Sequence, residues 1–160
     1  MTNSSSNNNQ EFQDPLENYD PKTYGGRLEQ ALAEELVGEI EHEPYATIPP
    51  SMSVFDAVHK MAFMHVACLL VEEDSKLVGV FSDRDVLTRV ALEYEHCKDS
   101  PVAEYMTTDP VFVYSSQSAA AALSVMAVSG HRHVPVLDNQ QNIVGIVSPQ
   151  RVTEFLKRSL

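Results

Sequence analysis

The sequence predicts an α+β fold: two copies of a β-α-β-β-α unit packed sheet to sheet about a pseudo-twofold, preceded by an amphipathic helix. Three observations carry this. The chain repeats itself, each copy runs through the same order of local signals, and a leucine stripe precedes the first copy. At an offset of 65, Val37 falls on Val102, Glu39 on Glu104, Ser53 on Ser118, Ala57 on Ala122, Met61 on Met126 and Val71 on Val136. One extra residue in the second copy moves the offset to 66, and Val78, Gly79, Ser82 and Val86 then meet Val144, Gly145, Ser148 and Val152. Self-similarity at a fixed period is the mark of a repeated structural unit.

The elements follow in chain order. Residues 1–25 are rich in Ser, Asn, Gln, Asp and Pro with few apolar anchors, which predicts a flexible tail. Over 26–41, Leu28, Leu32, Leu36 and Ile40 recur every four residues among glutamates, the pattern of an amphipathic helix whose apolar stripe must dock. It docks on the chain's own core, on a second copy of the chain or on another protein. The first repeat, 42–98, opens with a β-prone run at Ala46 to Ile48 and then Ser53 as the N-cap of a helix with Val54, Val58 and Met61 on one face. Two strands, Val66 to Val71 and Leu77 to Phe81, are joined by a polar turn, and a helix from Asp83 to Glu95 closes the unit. The second repeat, 102–160, has the run Val111 to Tyr114, the cap Ser118, a helix with Ala122, Leu123 and Met126 on one face, strands His133 to Leu137 and Ile143 to Val147, and a helix from Pro149 to Lys157. Its proline sits in the first turn, where the missing amide costs nothing. A three-stranded sheet with helices on one face leaves its other face bare, so two copies in one chain cover each other and create clefts where they meet.

The chain has 160 residues, 11 Lys plus Arg and 23 Asp plus Glu, for a formal charge of −12. That balance argues against nucleic acid or an anionic membrane as a partner. Ten acids and two bases lie in residues 1–45, so the acidity belongs mainly to the front end. The N-terminus lacks the basic and apolar regions of a secretory signal, and no apolar stretch approaches the ~20 residues of a membrane helix, which predicts a cytoplasmic protein. Cys68 and Cys97 have neither a CxxC nor a zinc spacing. His131 and His133 share a strand face, but no nearby Cys or carboxylate completes a metal site. No GxSxG elbow accompanies Ser82, so nothing points to a catalytic triad. No catalytic residues and no metal are expected.

Three segments together resemble a known family: VAEYMTTDPVFV at 102–113, SGHRHVPVLD at 129–138 and LVGVFSDRDVL at 77–87. Both copies resemble the cystathionine β-synthase (CBS) domain, and the tandem resembles a stand-alone CBS pair, or Bateman module. The resemblance covers about 120 residues and leaves out the acidic tail and the first helix. It implies a regulatory, energy-sensing type of module that binds AMP, ADP, ATP or S-adenosylmethionine in the cleft between the repeats, forms a homodimer and modulates a partner protein not named by the sequence. No obligatory cofactor is implied.

The motif also reads physically. Gly79 permits close backbone approach, Ser82 offers a hydroxyl at the helix start, and Asp85 places a carboxylate one turn in, where its two oxygens suit adjacent ribose hydroxyls. Ser82 and the free amides at that helix start suit phosphate oxygens. Capping explains Ser82 and Asp85 equally well without any ligand. Arg84 points either to solvent or to a phosphate. By the family resemblance, Val80, Thr108, Pro110 and Val111 flank the adenine. The second copy departs from the pattern: its turn is GIVSPQR, with Ser148 kept and Arg151 in place of Asp85. A guanidinium has only donors and cannot accept ribose hydroxyls, so Arg151 either reaches a phosphate with Arg132 and His133 or lies beside a degenerate site. One ligand site is therefore expected. The alternative for the whole chain is a ligand-independent interaction scaffold.

Overall fold

The computed structural model describes residues 22–160 apart from Ser159. Most of the expected flexible tail, up to residue 21, lies outside the described residues. Helix α1 spans Arg27–Glu34 and a 3₁₀ turn follows at Val37–Glu39. Then come β1 (Thr47–Ile48), α2 (Val54–Met64), β2 (Cys68–Glu73) and β3 (Lys76–Ser82). A short turn α3 (Asp83–Asp85), a π-helical turn at Val86–Val90 and α4 (Tyr94–Cys97) end the first repeat. The second opens with a 3₁₀ turn at Val102–Glu104 and β4 (Thr107–Thr108). It continues with β5 (Val113–Tyr114), α5 (Ala119–Ser129), β6 (Val134–Leu137), β7 (Ile143–Val147) and α6 (Pro149–Lys157).

Each repeat builds a sheet from a parallel pair and a hairpin. In the first, β1 runs parallel to β2, which pairs antiparallel with β3; in the second, β5, β6 and β7 do the same. Strand alternation explains why two such sheets must meet. Leu69 and Val71 of β2 face the first helix-side core with Val54, Ala57 and Phe81, whereas Cys68 and Leu70 point the other way and pack with Val80 and Ile146 between the repeats. A second helix-side core collects Val113, Ala122, Val134, Val136, Val147 and Phe155.

The lead-in segments are exchanged between the repeats. The Val37 amide donates to the Gln117 carbonyl at 2.8 Å and the Ala119 amide to Glu35 at 2.8 Å. Sixty-five residues on, by the offset of the repeat, the Val102 amide donates to Met52 at 2.8 Å and the Val54 amide to Ser100 at 2.9 Å. Val37 and Ile40 therefore join the second core, and Val102 joins the first. The exchange continues into the sheets, where β4 adds to β3 through Gly79 with Thr108 and Val80 with Thr107. On the other side His42 supplies one bond, accepting from the Ile146 amide at 3.0 Å, and the second sheet stays three-stranded.

Two helices differ from the sequence expectation, and the first sheet has four strands, through β4, where three were expected. The first helix stops at Glu34 rather than running to 41, because Glu35 and Leu36 turn extended to meet the start of α5. Of its stripe, Leu32 and Ile40 pack inward while Leu28 and Leu36 are exposed. The single helix expected over 83–95 is broken. The Ala91 amide donates to the Val86 carbonyl five residues back at 2.8 Å, and Glu93 leaves helical geometry before α4. Such wide turns frequently mark functional sites. Its counterpart α6 is continuous.

Candidate functional site

The end of β3 delivers the first functional group. Ser82 leaves the strand in extended geometry, and its hydroxyl accepts the Asp85 amide at 3.4 Å, which starts the helical turn. The Asp85 carboxylate replies: Oδ2 accepts the Ser82 amide at 2.9 Å and the Ser82 hydroxyl at 2.7 Å. That reciprocal pair is a capping box with Asp in the acid position. The second oxygen turns away from the helix. Oδ1 accepts the Thr107 hydroxyl at 3.0 Å and lies 3.8 Å from the Arg89 guanidinium. Asp85 is the one buried charged residue among those described, at 4% exposure, and these partners leave neither of its oxygens without a neighbour. Arg89 also donates to the carbonyls of Tyr105 at 3.1 Å and Met106 at 2.8 Å, so it fastens the lead-in of the second repeat to the first.

Around this carboxylate lies a cleft of about 430 Å³. Val80, Ser82, Asp83, Arg84, Asp85, Leu87, Thr88 and Arg89 line it from the first repeat, with Cys68 on its floor. Thr107, His131, Arg132 and His133 line it from the second. Arg84 spans the gap, its guanidinium donating to the Gly130 carbonyl at 3.4 Å. Burial pushes the Cys68 thiol up to about 12, with Asp85 and Asp83 adding to the effect, so it is an inert wall rather than a nucleophile. Burial also lowers the His133 imidazole below its ordinary value; Arg151 and Arg132 act in the same sense and Asp83 opposes. Nδ1 of His131 is buried in the cleft wall without a hydrogen-bond partner.

The structure thus brings Val80, Ser82, Arg84 and Asp85 together and places the other expected residues as follows. The helix-start amides are not free for phosphate: Ser82 donates to Asp85, Asp83 to the Ala67 carbonyl at 2.9 Å, Arg84 to the Asp83 carboxylate at 2.8 Å and Asp85 to Ser82. Arg132 and His133 line the first cleft, with the Arg151 charge still felt at His133. Thr108 ends the pairing with Gly79, and its neighbour Thr107 is the residue that reaches the carboxylate. Pro110 lies in a separate hollow with Lys76, Leu77 and Phe112, and Val111 is exposed. The cause is Asp109, whose φ of 49° turns the chain off the β4 line. Thr107 and Arg89 escaped the sequence reading, although Arg89 stands four residues after Asp85, the spacing of helix neighbours.

The second turn is built differently. Ser148 accepts the Arg151 amide at 3.5 Å, so the cap survives. The Arg151 guanidinium donates to the carbonyls of Ile146 at 2.6 Å and Pro44 at 2.8 Å. Burial lowers its pKa from the ordinary value, and Glu41 opposes this.

Comparison with known proteins agrees with this geometry. The family model for the CBS domain matches twice, at residues 37–92 and 102–158. The chain belongs to the CBS domain family. The CBS domain-containing protein CBSCBSPB5 of Arabidopsis thaliana is 38% identical over 98 residues, 61% of this chain and 18% of that protein. The chain therefore spans about a fifth of the length of that curated relative. Among solved structures, the CBS domain protein NE2398 superimposes with a TM-score of 0.68 at 30% identity, covering 76% of this chain and 96% of the other. CBSX2, solved in complex with AMP, gives a TM-score of 0.66 at 27% identity, covering 77% and 96%. In CBS terms, the two repeats form a pair with swapped lead-ins, and the matched segments begin at the 3₁₀ turns Val37–Glu39 and Val102–Glu104. CBS domains are in general regulatory rather than catalytic modules. Among the described residues, no helix is long and apolar enough to cross a membrane.

Proposed function

We propose that this CBS pair binds an adenosine nucleotide or adenosyl compound in the cleft beside Asp85 and uses it to modulate a partner protein. One observation carries the reading: a buried carboxylate at the junction of both repeats that lines the cleft together with Thr107, the donor to its Oδ1. Oδ1 keeps a lone pair beyond the Thr107 bond, and the Thr107 oxygen, itself a donor to Asp85, has lone pairs to accept with. Adjacent ribose hydroxyls match that pair of acceptors. With the helix-start amides engaged, phosphates would go to the opposite wall, to Arg132 and the histidines beside it, and to Arg84. The AMP complex of CBSX2 supports an adenosine ligand in this fold. A ligand touching both repeats alters the balance between their arrangements only by its differential affinity for them, which is how such a module signals.

A second reading has its own support. The capping box satisfies Ser82 and Asp85 with no ligand at all, as a ligand-independent scaffold would require. A thermal-shift screen with AMP, ADP, ATP and S-adenosylmethionine separates the two. At a hundred times its dissociation constant a ligand stabilises the fold by about 2.7 kcal/mol, and we expect such a shift, lost in Asp85→Ala. A flat screen on folded protein leaves the scaffold. In either case we expect a homodimer, since Phe63 on α2, Val128 on α5 and Leu92 after the π turn are 87%, 89% and 98% exposed. Light scattering at micromolar concentration should return twice the 17.8 kDa chain mass; a monomer mass would refute it.

A further inference from the structure

Resting on that reading of the first cleft, we infer that Arg151 closes the second cleft from within, so that the pair takes one adenosine ligand per chain. The repeat offset sets the comparison. Asp85 corresponds to Arg151, Thr107 to His42, Arg89 to Phe155, and Val80, which lines the first cleft, to Ile146. The serine cap is kept as Ser148, whereas the carboxylate itself and both side chains beside its Oδ1 are replaced.

The replacements are also engaged with each other's surroundings. The Arg151 arm bonds the Ile146 carbonyl on β7 and the Pro44 carbonyl in the lead-in, tying the two walls of the second cleft together at 2.6 and 2.8 Å. A cation with donors only stands where the first site has its acceptor. His42 has no hydroxyl to offer, and its Nδ1 is bonded to the Ile40 carbonyl at 2.7 Å. It also packs hard against β7: a Cβ built on Gly145 would lie 2.5 Å from the His42 ring and 2.6 Å from its carbonyl oxygen. Phe155 is buried in the second core and brings no charge. In the first cleft the equivalent walls are joined by Thr107 and Arg89 at the rim of an open volume of about 430 Å³.

Isothermal titration with AMP, ADP, ATP and S-adenosylmethionine tests this on the full chain. The wild type should bind one ligand per chain, Asp85→Ala none, and the double variant Arg151→Asp with His42→Thr two. A wild-type stoichiometry of two, or a single remaining site in Asp85→Ala, overturns the inference even if the double variant fails to fold, and leaves an adenosine-binding protein. A folded double variant that stays at one also overturns it. No binding by wild type to any of the four removes the adenosine reading and the inference with it.

Discussion

The turn after β3 and the turn after β7 share a framework and differ in chemistry. Both leave a strand through a serine whose hydroxyl accepts the amide three residues on, at 3.4 Å for Ser82 and 3.5 Å for Ser148. The third position is Asp in one and Arg in the other. Because the second turn folds with its cap and no acid, the acid is not needed to start the helix. Asp85 does more than cap: its outer oxygen ties Thr107 to the turn, and the residue lines the cleft. Serine is set by the backbone, and the third residue after it is left to define what each cleft accepts. A repeat in sequence therefore guarantees a repeat of scaffold only.

The crossing of each lead-in over its strand gives the largest expected contrast. Gly79 and Gly145 occupy equivalent positions, and a methyl group at either meets the lead-in of the other repeat. At Gly79 the nearest atom is the Met106 sulfur at 2.5 Å, the flexible end of a side chain, with the Thr107 carbonyl oxygen at 3.0 Å. At Gly145 the His42 main-chain oxygen is already at 2.6 Å. Backbone cannot rotate aside as a thioether can. Overpacking typically costs about 1–3 kcal/mol, and we expect Gly145→Ala near the top of that range and Gly79→Ala near the bottom, read from urea unfolding midpoints. Equal losses, or the reverse order, would break the picture of a second crossing drawn tight by Arg151.

These contrasts also show which parts of the molecule can be read along the chain. The two hairpins and the Ser53 cap were legible because each is local: a period of two, a turn signal, a cap before an apolar face; Ser118 stands at the same place before α5 but makes no side-chain cap. The motif around Asp85 was legible for the same reason. The exchange of lead-ins was not, since nothing near Val37 states that its amide bonds Gln117 rather than its own repeat. Helix α1 ends early for that cause, a long-range pairing overriding a sound leucine stripe. Arg132 and His133 were assigned to the second turn because they precede it in sequence, whereas the pseudo-twofold carries them to the first cleft. Thr107 carried no local signal, as strand register decides which of two adjacent threonines faces the carboxylate.

The smallest contrast concerns the two long helices, and it asks whether polar support is unequal away from the clefts as well. Ser53 and Ser118 enter α2 and α5 with nearly the same backbone, φ −65° and −64°. Ser53 accepts the Asp56 amide at 3.0 Å and donates to the Asp56 carboxylate at 2.8 Å, and that carboxylate also suits the positive end of the helix. Ser118 makes no side-chain cap, and Ala121 stands where Asp56 does in the first repeat. Both helix starts are otherwise held alike, by main-chain bonds from Val54 to Ser100 and from Ala119 to Glu35. Losing the cap should therefore be the only difference between the two alanine variants. Ser53→Ala is expected to lose about 1 kcal/mol in urea unfolding and Ser118→Ala no more than about 0.5 kcal/mol. If the losses match, exchanged lead-ins alone fix both helix starts, and the inequality of the repeats is confined to the clefts.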